Sequence, residues 1–301
     1  MSFTLPPAML TQEWASRVRI GEPLSRHTSW HVGGPADIFF MPRDRADLVA
    51  FLKVLPPDVP LLWLGLGSNL LVRDGGVRGV VIATRDALLA LERRGERGVY
   101  AEAGVPCAKL ARQCARWDLG PAEFFTGIPG TVGGALAMNA GAFGGETWKQ
   151  VVNVETVDRH GVVRERSREE FRIGYRHVEL PANDEWFLAA TFHFEAGSSE
   201  ADTRALLERR KQTQPIGEWS CGSVFTNPPG DHAARLIEAA GLKGLRIGGA
   251  VVSTKHANFI LNEGEATARD IETLIRQVQQ QVASRHGCML TPECRIVGDA
   301  A

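Results

Sequence analysis

The chain has almost no net charge: 34 lysines and arginines stand against 35 acidic residues, leaving −1. So weak a balance gives no general attraction to nucleic acid or to an anionic membrane surface. Long apolar runs are missing, and nothing approaches the roughly 18 residues that a membrane helix needs. The opening MSFTLPPAMLTQEW lacks the basic start and apolar stretch of a secretory leader. The expectation is a cytoplasmic protein with no nucleic-acid or membrane partner. Cysteine is sparse and unpatterned. Cys107, Cys114, Cys221, Cys288 and Cys294 are odd in number and show no C-x-x-C spacing. That argues against a disulfide framework or zinc site and for buried free thiols. His27, His31 and His256 show no metal-ligand spacing either, so no metal is expected. Only two tyrosines occur, Tyr100 and Tyr175.

What remains is an ordinary globular composition, 301 residues long and rich in glycine, enough for two or three domains with real cores. From Arg19 to Thr84, the runs ADIFFMP and LLWLGLG read as buried strands. RDRADLVAFLKVL between them has helical spacing through Ala46, Leu48, Val49 and Leu52. This makes a β-α-β start. From Asp86 to Gly197, GVYAEAGVP reads as a strand and CAKLARQCARWDLG as a helix closed by Gly120. VVNVETVDRHGVVRERS alternates around a His160-Gly161 turn as a hairpin, and EWFLAATFHFEAG is a further strand. From Ala201, TRALLERRKQTQP is a helix ended by Pro215. DHAARLIEAAGLKG is a second, with Asp231 as N-cap and Gly241 past its end. In ATARDIETLIRQVQQQVASRHG, Ile271, Leu274, Ile275, Val278 and Val282 form one apolar stripe between a Thr267 cap and Gly287. HANFILN supplies a strand. These boundaries give three divisions, 1–85, 86–200 and 201–301.

Two stretches concentrate glycine. One is LGLGSNLLVRDGG, Leu64 to Gly76; the other is GIPGTVGGALAMNAGAFGGE, Gly127 to Glu146. Glycine lets backbone approach a ligand without a Cβ in the way and turns N–H groups toward an anion. Ser68, Asn69, Thr131 and Asn139 add neutral polar groups, which suits a pyrophosphate held without lysine. No G-x-x-x-x-G-K-[ST] occurs, and GLGSNL places Leu70 where a dinucleotide fingerprint needs its third glycine. Either stretch alone also reads as a tight turn between strands.

Three positions carry chemical potential. Ser223 in SCGSVFTNP is no hydrolase nucleophile elbow, because Phe225 stands where the last glycine belongs. A turn serine is the plain alternative. Arg176 follows Tyr175 in GYRHVEL. Glu293 and Arg295 in LTPECRIVG share one face if ECRIV is a strand, which is also how a structural ion pair looks.

Read together, RHTSWHVGGPADIFFMP, LGLGSNLLVRDGGVRGVVI, FFTGIPGTVGGALAMNAGAFGGE, FRIGYR, CGSVFTNP, KHANFILN and LTPECRIVG resemble the UDP-N-acetylenolpyruvoylglucosamine reductase family from Arg19 to Gly298. The resemblance implies an α+β fold of the vanillyl-alcohol-oxidase/PCMH type. Two FAD-binding subdomains (1–85 and 86–200) precede a substrate domain (201–301). It implies noncovalent FAD held by Gly65, Gly67, Ser68, Asn69, Gly127, Gly130, Thr131, Gly133, Gly134, Asn139 and Ala140. NADPH is the implied hydride donor and UDP-N-acetylglucosamine enolpyruvate the implied substrate. Ser223 matches the proton donor, and Arg176 and Glu293 match the pair that stabilises the enolate-like intermediate. Asn227, Arg295 and Lys211 match substrate contacts. Thr226 departs from the pattern, since lysine is common there. Only 47 positions separate Arg176 from Ser223, as in the short form (type II), which lacks an inserted loop and its tyrosine; a more open site is expected. Two rival readings are an FAD-dependent sugar or alcohol oxidase of the same fold and a nucleotide-binding module without turnover.

Overall fold

The computed structural model describes residues 14–197 and 200–301. Contacts divide the chain into two units, each assembled from separated segments. The first takes the chain up to Ile20, then Ile38–Leu66 and Gly79–Arg209; the second takes Gly21–Asp37, Gly67–Arg78 and Arg210–Ala301. The class is α+β. No helix among the described residues is long and apolar enough to cross a membrane.

The first unit holds two hydrophobic clusters. One gathers Ile38, Phe40, Val80 and Ile82 from strands with Leu48, Phe51 and Leu52 from helix α1, Arg45–Val54. Strand Leu61–Leu64 runs parallel to Val77–Ala83, with Leu61 opposite Val80 and Leu64 opposite Ala83. Strand Pro35–Phe40, α1 and strand Leu61–Leu64 are the β-α-β start read from the sequence, with Leu61, Leu62 and Trp63 half-buried where burial is expected. Asp44 accepts a hydrogen bond from Asp47 N and caps α1. The Phe40 and Phe51 rings stack 3.8 Å apart.

The other cluster lies on an antiparallel sheet of five strands in the order Val163–Ser167, Val151–Asp158, Glu185–His193, Gly98–Glu102 and Leu91–Arg94. Along the central strand Phe187, Leu188, Ala189, Ala190 and Phe192 are all buried. A strand covered on both faces carries such a run rather than an alternation. The hairpin turn falls at Asp158–Gly161, where Gly161 takes φ +74°. Helix α2, Cys107–Arg116, and helix α3, Val132–Met138, bury Leu110, Ala111, Cys114, Val132, Ala135 and Leu136 in the same cluster. The sequence reading closed α2 at Gly120. Instead the helix stops at Arg116, and Asp118 takes the left-handed conformation at φ +56°. Aspartate tolerates that region better than most side chains, so no glycine was needed.

Helix α4, Glu200–Thr213, stops short of Pro215 as expected. The second unit contains helix α5, Ala233–Ala239, helix α6, Ala268–His286, and an antiparallel sheet of Arg246–Ile247, Ala250–Val252 and Ile260–Asn262. All five expected stripe residues of α6 are buried. Burying each contributes about 1.5–3 kcal/mol relative to exposure. Thr267 and Asp270 cap each other's backbone N–H, and Gly287 closes the helix at φ +65°. The N-cap of α5 is His232, not Asp231. The Asp231 carboxylate is held by Arg235 and the His232 amide, and Asn227 Oδ1 accepts from Ala233 N at 3.0 Å. Arg295–Val297 pairs parallel with Leu70–Val72, and Trp30 Nε1 donates to Ile260 O at 2.8 Å. These long-range bonds draw Gly21–Asp37 and Gly67–Arg78 into the second unit.

Candidate functional site

In the first unit the two glycine stretches meet. A Cβ on Gly65, just after strand Leu61–Leu64, would lie 2.5 Å from Thr131 Oγ1. Only glycine permits that approach. Thr131 caps α3, accepting from Gly134 N at 3.4 Å. Gly133 packs so closely that a Cβ would sit 2.8 Å from Ala103 Cβ. Gly127 similarly faces Ala142 and the Phe143 ring. Backbone donors here have protein partners: Gly130 N donates to Ile128 O, Val132 N to Val105 O and Gly133 N to Ala103 O. Much of the glycine therefore serves close packing. In α3 the open position is Gly134, which is exposed and whose Cβ would find only Thr131 Oγ1, at 3.8 Å. Between Gly127 and Gly145 no residue is charged. A side-chain-poor, neutral surface of this kind fits a dinucleotide approached closely by backbone.

Arg176 sits at the tip of a hairpin whose strands, Arg172–Gly174 and His177–Glu179, pair Gly174 with His177. Its φ is +55°, a left-handed conformation that disfavours any side chain. The guanidinium donates from Nη2 to Gly141 O at 2.7 Å and from Nη1 to Asn139 O at 3.3 Å. Asn139 is also left-handed, at φ +47°, and buried. Its Nδ2 donates to Gly174 O at 3.0 Å, and its Oδ1 accepts from Trp148 N at 3.1 Å. Asn139 thus ties the glycine stretch to the arginine hairpin with its own side chain. The Ala140 carbonyl accepts from Thr147 N and Oγ1.

In the second unit, Ser223 and Glu293 lie on neighbouring antiparallel segments. Glu293 N donates to Val224 O at 2.7 Å, Thr226 N donates to Thr291 O at 3.0 Å, and Phe225 bridges Pro292. Asn69 joins them: its Nδ2 donates to Glu293 O at 3.1 Å, and its carbonyl accepts from Arg295 N at 3.0 Å. Gly67 takes φ +62°, with His27 O where a Cβ would fall, and its carbonyl accepts from Ser29 N. Ser68 is half-buried. The regular strand begins at Arg295, two residues beyond Glu293. Arg295 and Asn227 are exposed, and the Asn227 side chain caps α5. Lys211 is exposed on α4, and its carbonyl accepts from Lys255 Nζ at 2.5 Å. Burial pushes the Cys221 thiol well up, with Cys294 beside it adding to the effect. Such a thiol stays neutral and is packing, not a nucleophile.

Asn258, within the stretch HANFILN, was not singled out from the sequence. It is buried and bonded to both backbone groups of Phe225. Burial also holds the His256 imidazole below its ordinary pKa, which favours the neutral ring whose Nδ1 accepts from Asn258 N at 3.3 Å. A polar residue inside an apolar run was the one available signal.

Two family models match parts of the chain. A family model described as FAD binding domain matches residues 36–167. A second, described as UDP-N-acetylenolpyruvoylglucosamine reductase, C-terminal domain, matches 214–297. The chain is 63% identical to UDP-N-acetylenolpyruvoylglucosamine reductase of Alkalilimnicola ehrlichii, over 94% of this chain and 95% of that one. It is 60% identical to the enzyme of the same name from Methylococcus capsulatus, over 93% and 92%. The solved structure of UDP-N-acetylenolpyruvylglucosamine reductase from Thermus caldophilus is similar with a TM-score of 0.80 and 34% identity, covering 93% of this chain and 98% of that one.

Proposed function

The chain belongs to the UDP-N-acetylenolpyruvoylglucosamine reductase family, and from that premise we propose that it reduces the enolpyruvyl group of UDP-N-acetylglucosamine enolpyruvate to the lactyl ether of UDP-N-acetylmuramate, using NADPH. The chemistry that FAD supplies when bound is two-electron transfer between the nicotinamide and the enolpyruvyl double bond. Gly65, Gly130, Thr131, Gly133 and Gly134 would hold it through backbone and small side chains. Residues 1–85 and 86–200 would serve the cofactor and 201–301 the sugar nucleotide. The reaction would run in the cytoplasm, where buried thiols stay reduced, and supply a peptidoglycan precursor.

The residues of this chain account for the rest. Addition of hydride at C3 leaves negative charge at C2, shared with the adjoining carboxylate. Arg176 supplies permanent positive charge and directed donors where that charge develops. Ser223 gives its hydroxyl proton to C2, completing the addition of two hydrogens across the double bond. A hydroxyl is a weak acid, but the carbon it faces is strongly basic, so position matters more than acidity. Glu293 orients a donor or, when protonated, donates itself. Asn227, Arg295 and Lys211 are the proposed contacts to the sugar nucleotide.

The observation carrying this reading is the pairing of the segment that holds Ser223 with the segment that holds Glu293, through the Glu293 N to Val224 O bond, in a chain of this family. The test is Ser223→Ala in the FAD-loaded protein, followed anaerobically by flavin absorbance. Reduction by NADPH should proceed as in the parent. Reoxidation on adding the enolpyruvyl sugar nucleotide should slow at least about 100-fold, within the range of lost acid catalysis. Reoxidation at the parent rate would remove Ser223 from the proton-donor role.

A further inference from the structure

The segment carrying Ser223 is too short to be a strand of a sheet, yet its backbone is bonded on both sides. On one side, Val224 O and Thr226 N pair with Glu293 N and Thr291 O. On the other, no strand pairs with it among the described residues, and one residue does the pairing. Asn258 Oδ1 accepts from Phe225 N at 3.0 Å, and its Nδ2 donates to Phe225 O at 2.8 Å. The main-chain carbonyl of Asn258 accepts from Val224 N at 2.9 Å. A carboxamide has one acceptor and one donor end, which is what a peptide unit of a neighbouring strand would present to Phe225.

Asn258 is itself held. It is 4% exposed. Its N–H donates to His256 Nδ1, and Ser253 Oγ accepts from the amides of Lys255 and His256. Ser253 N donates to Phe259 O at 2.8 Å, closing the loop on itself. Immediately before Ser223, Gly222 takes φ +83°, and a Cβ there would meet nothing within 4 Å. Ser223 therefore lies between Gly222 and the first clamped peptide, and the clamp fixes where its Cα stands.

We infer that Asn258 is a positioning residue that sets the Ser223 hydroxyl for proton delivery. The inference rests on the reading of Ser223 as proton donor. Asn258→Leu keeps the number and branching of the side-chain heavy atoms and removes both bonds to Phe225. A displacement near 1 Å at a reacting group costs about 100-fold. Asn258→Leu should therefore leave NADPH-driven flavin reduction within about two-fold of the parent and slow reoxidation by the sugar nucleotide about 10- to 100-fold.

The decisive measurement is a cycle of Ser223→Ala, Asn258→Leu and the double variant, all FAD-loaded, with the two half-reactions timed separately. If Asn258 acts through Ser223, the double variant reoxidises no more slowly than Ser223→Ala alone. Multiplying effects would make Asn258 a general structural residue and overturn the inference. So would equal slowing of both half-reactions. Normal reoxidation in Ser223→Ala would defeat the underlying reading instead. Slow reoxidation in Ser223→Ala with a normal rate in Asn258→Leu would defeat only the inference. A second readout needs no turnover: in the cofactor-free protein the Phe225 amide should exchange with solvent at least about ten-fold faster in Asn258→Leu, since its acceptor is gone. Unchanged exchange would show that the clamp does not restrain this segment. If Asn258→Leu does not fold, Asn258→Asp keeps the acceptor, loses the donor, and carries the same cycle with the same two outcomes.

Discussion

Replacing Gly134 with alanine should move two quantities in opposite directions. Gly134 lies in α3, where alanine is favoured over glycine by about 0.8–1 kcal/mol. Its added Cβ would have no neighbour nearer than Thr131 Oγ1 at 3.8 Å, so nothing offsets that gain in the cofactor-free protein. The melting temperature should rise by about 2–4 °C. If FAD lies on the open surface at Gly134, the same methyl group stands in its way. Overpacking of that kind costs about 1–3 kcal/mol, which weakens FAD binding roughly 5- to 150-fold. Gly133→Ala is the control. Its Cβ would come within 2.8 Å of Ala103 Cβ and 3.1 Å of Ala103 O, so the cofactor-free protein should lose stability despite the helix preference. The assays are thermal unfolding without FAD and a fluorescence titration with FAD. A Gly134→Ala protein that melts higher and binds FAD like the parent would refute the placement of the cofactor against α3.

Two further perturbations test the second unit and the buried thiols. Glu272 is hydrogen-bonded to Arg73, which holds its carboxyl below the usual carboxylate range. Its contribution is present above the ordinary carboxylate pKa and is lost as pH falls through the lowered folded value. Glu272→Gln should therefore flatten the fall in melting temperature below about pH 4.5, and an unchanged profile would refute the pairing. Burial pushes the Cys114 thiol up to about 12 and the Cys107 thiol higher still. Brief native alkylation at mildly alkaline pH, mapped by mass spectrometry, should mark half-buried Cys288 ahead of both; rapid labelling at Cys107 or Cys114 would contradict their burial.

Local patterns were legible wherever the physics is local. The α6 stripe, its Thr267 cap, its Gly287 terminus and the Asp158–Gly161 turn all follow from residues a few positions apart. Where a competing side chain did the work, the reading slipped. Asp118 ended α2 before Gly120 was reached, and Asn227 supplied the cap expected of Asp231. Of the motifs, Gly65 meets Thr131, and the segment of Ser223 pairs with that of Glu293. What no spacing carried was the support behind them. Asn69 holds Glu293 from 224 positions away, Asn258 holds Phe225 from 33, and Asn139 reaches Gly174 across 35. Such bonds depend on the assembled fold, and an asparagine in an apolar run looks much the same whether it binds a ligand or a peptide group.

The segmented second unit also sets a timetable for synthesis. Trp30 donates to Ile260, 230 positions later. At about 5–20 residues per second on the ribosome, that partner follows roughly 10–50 seconds behind. During that interval the indole lacks its hydrogen-bond acceptor and the later part of its cluster, whereas the first unit needs nothing beyond Arg209. Excising residues 36–167 would likewise cut through both units instead of freeing one.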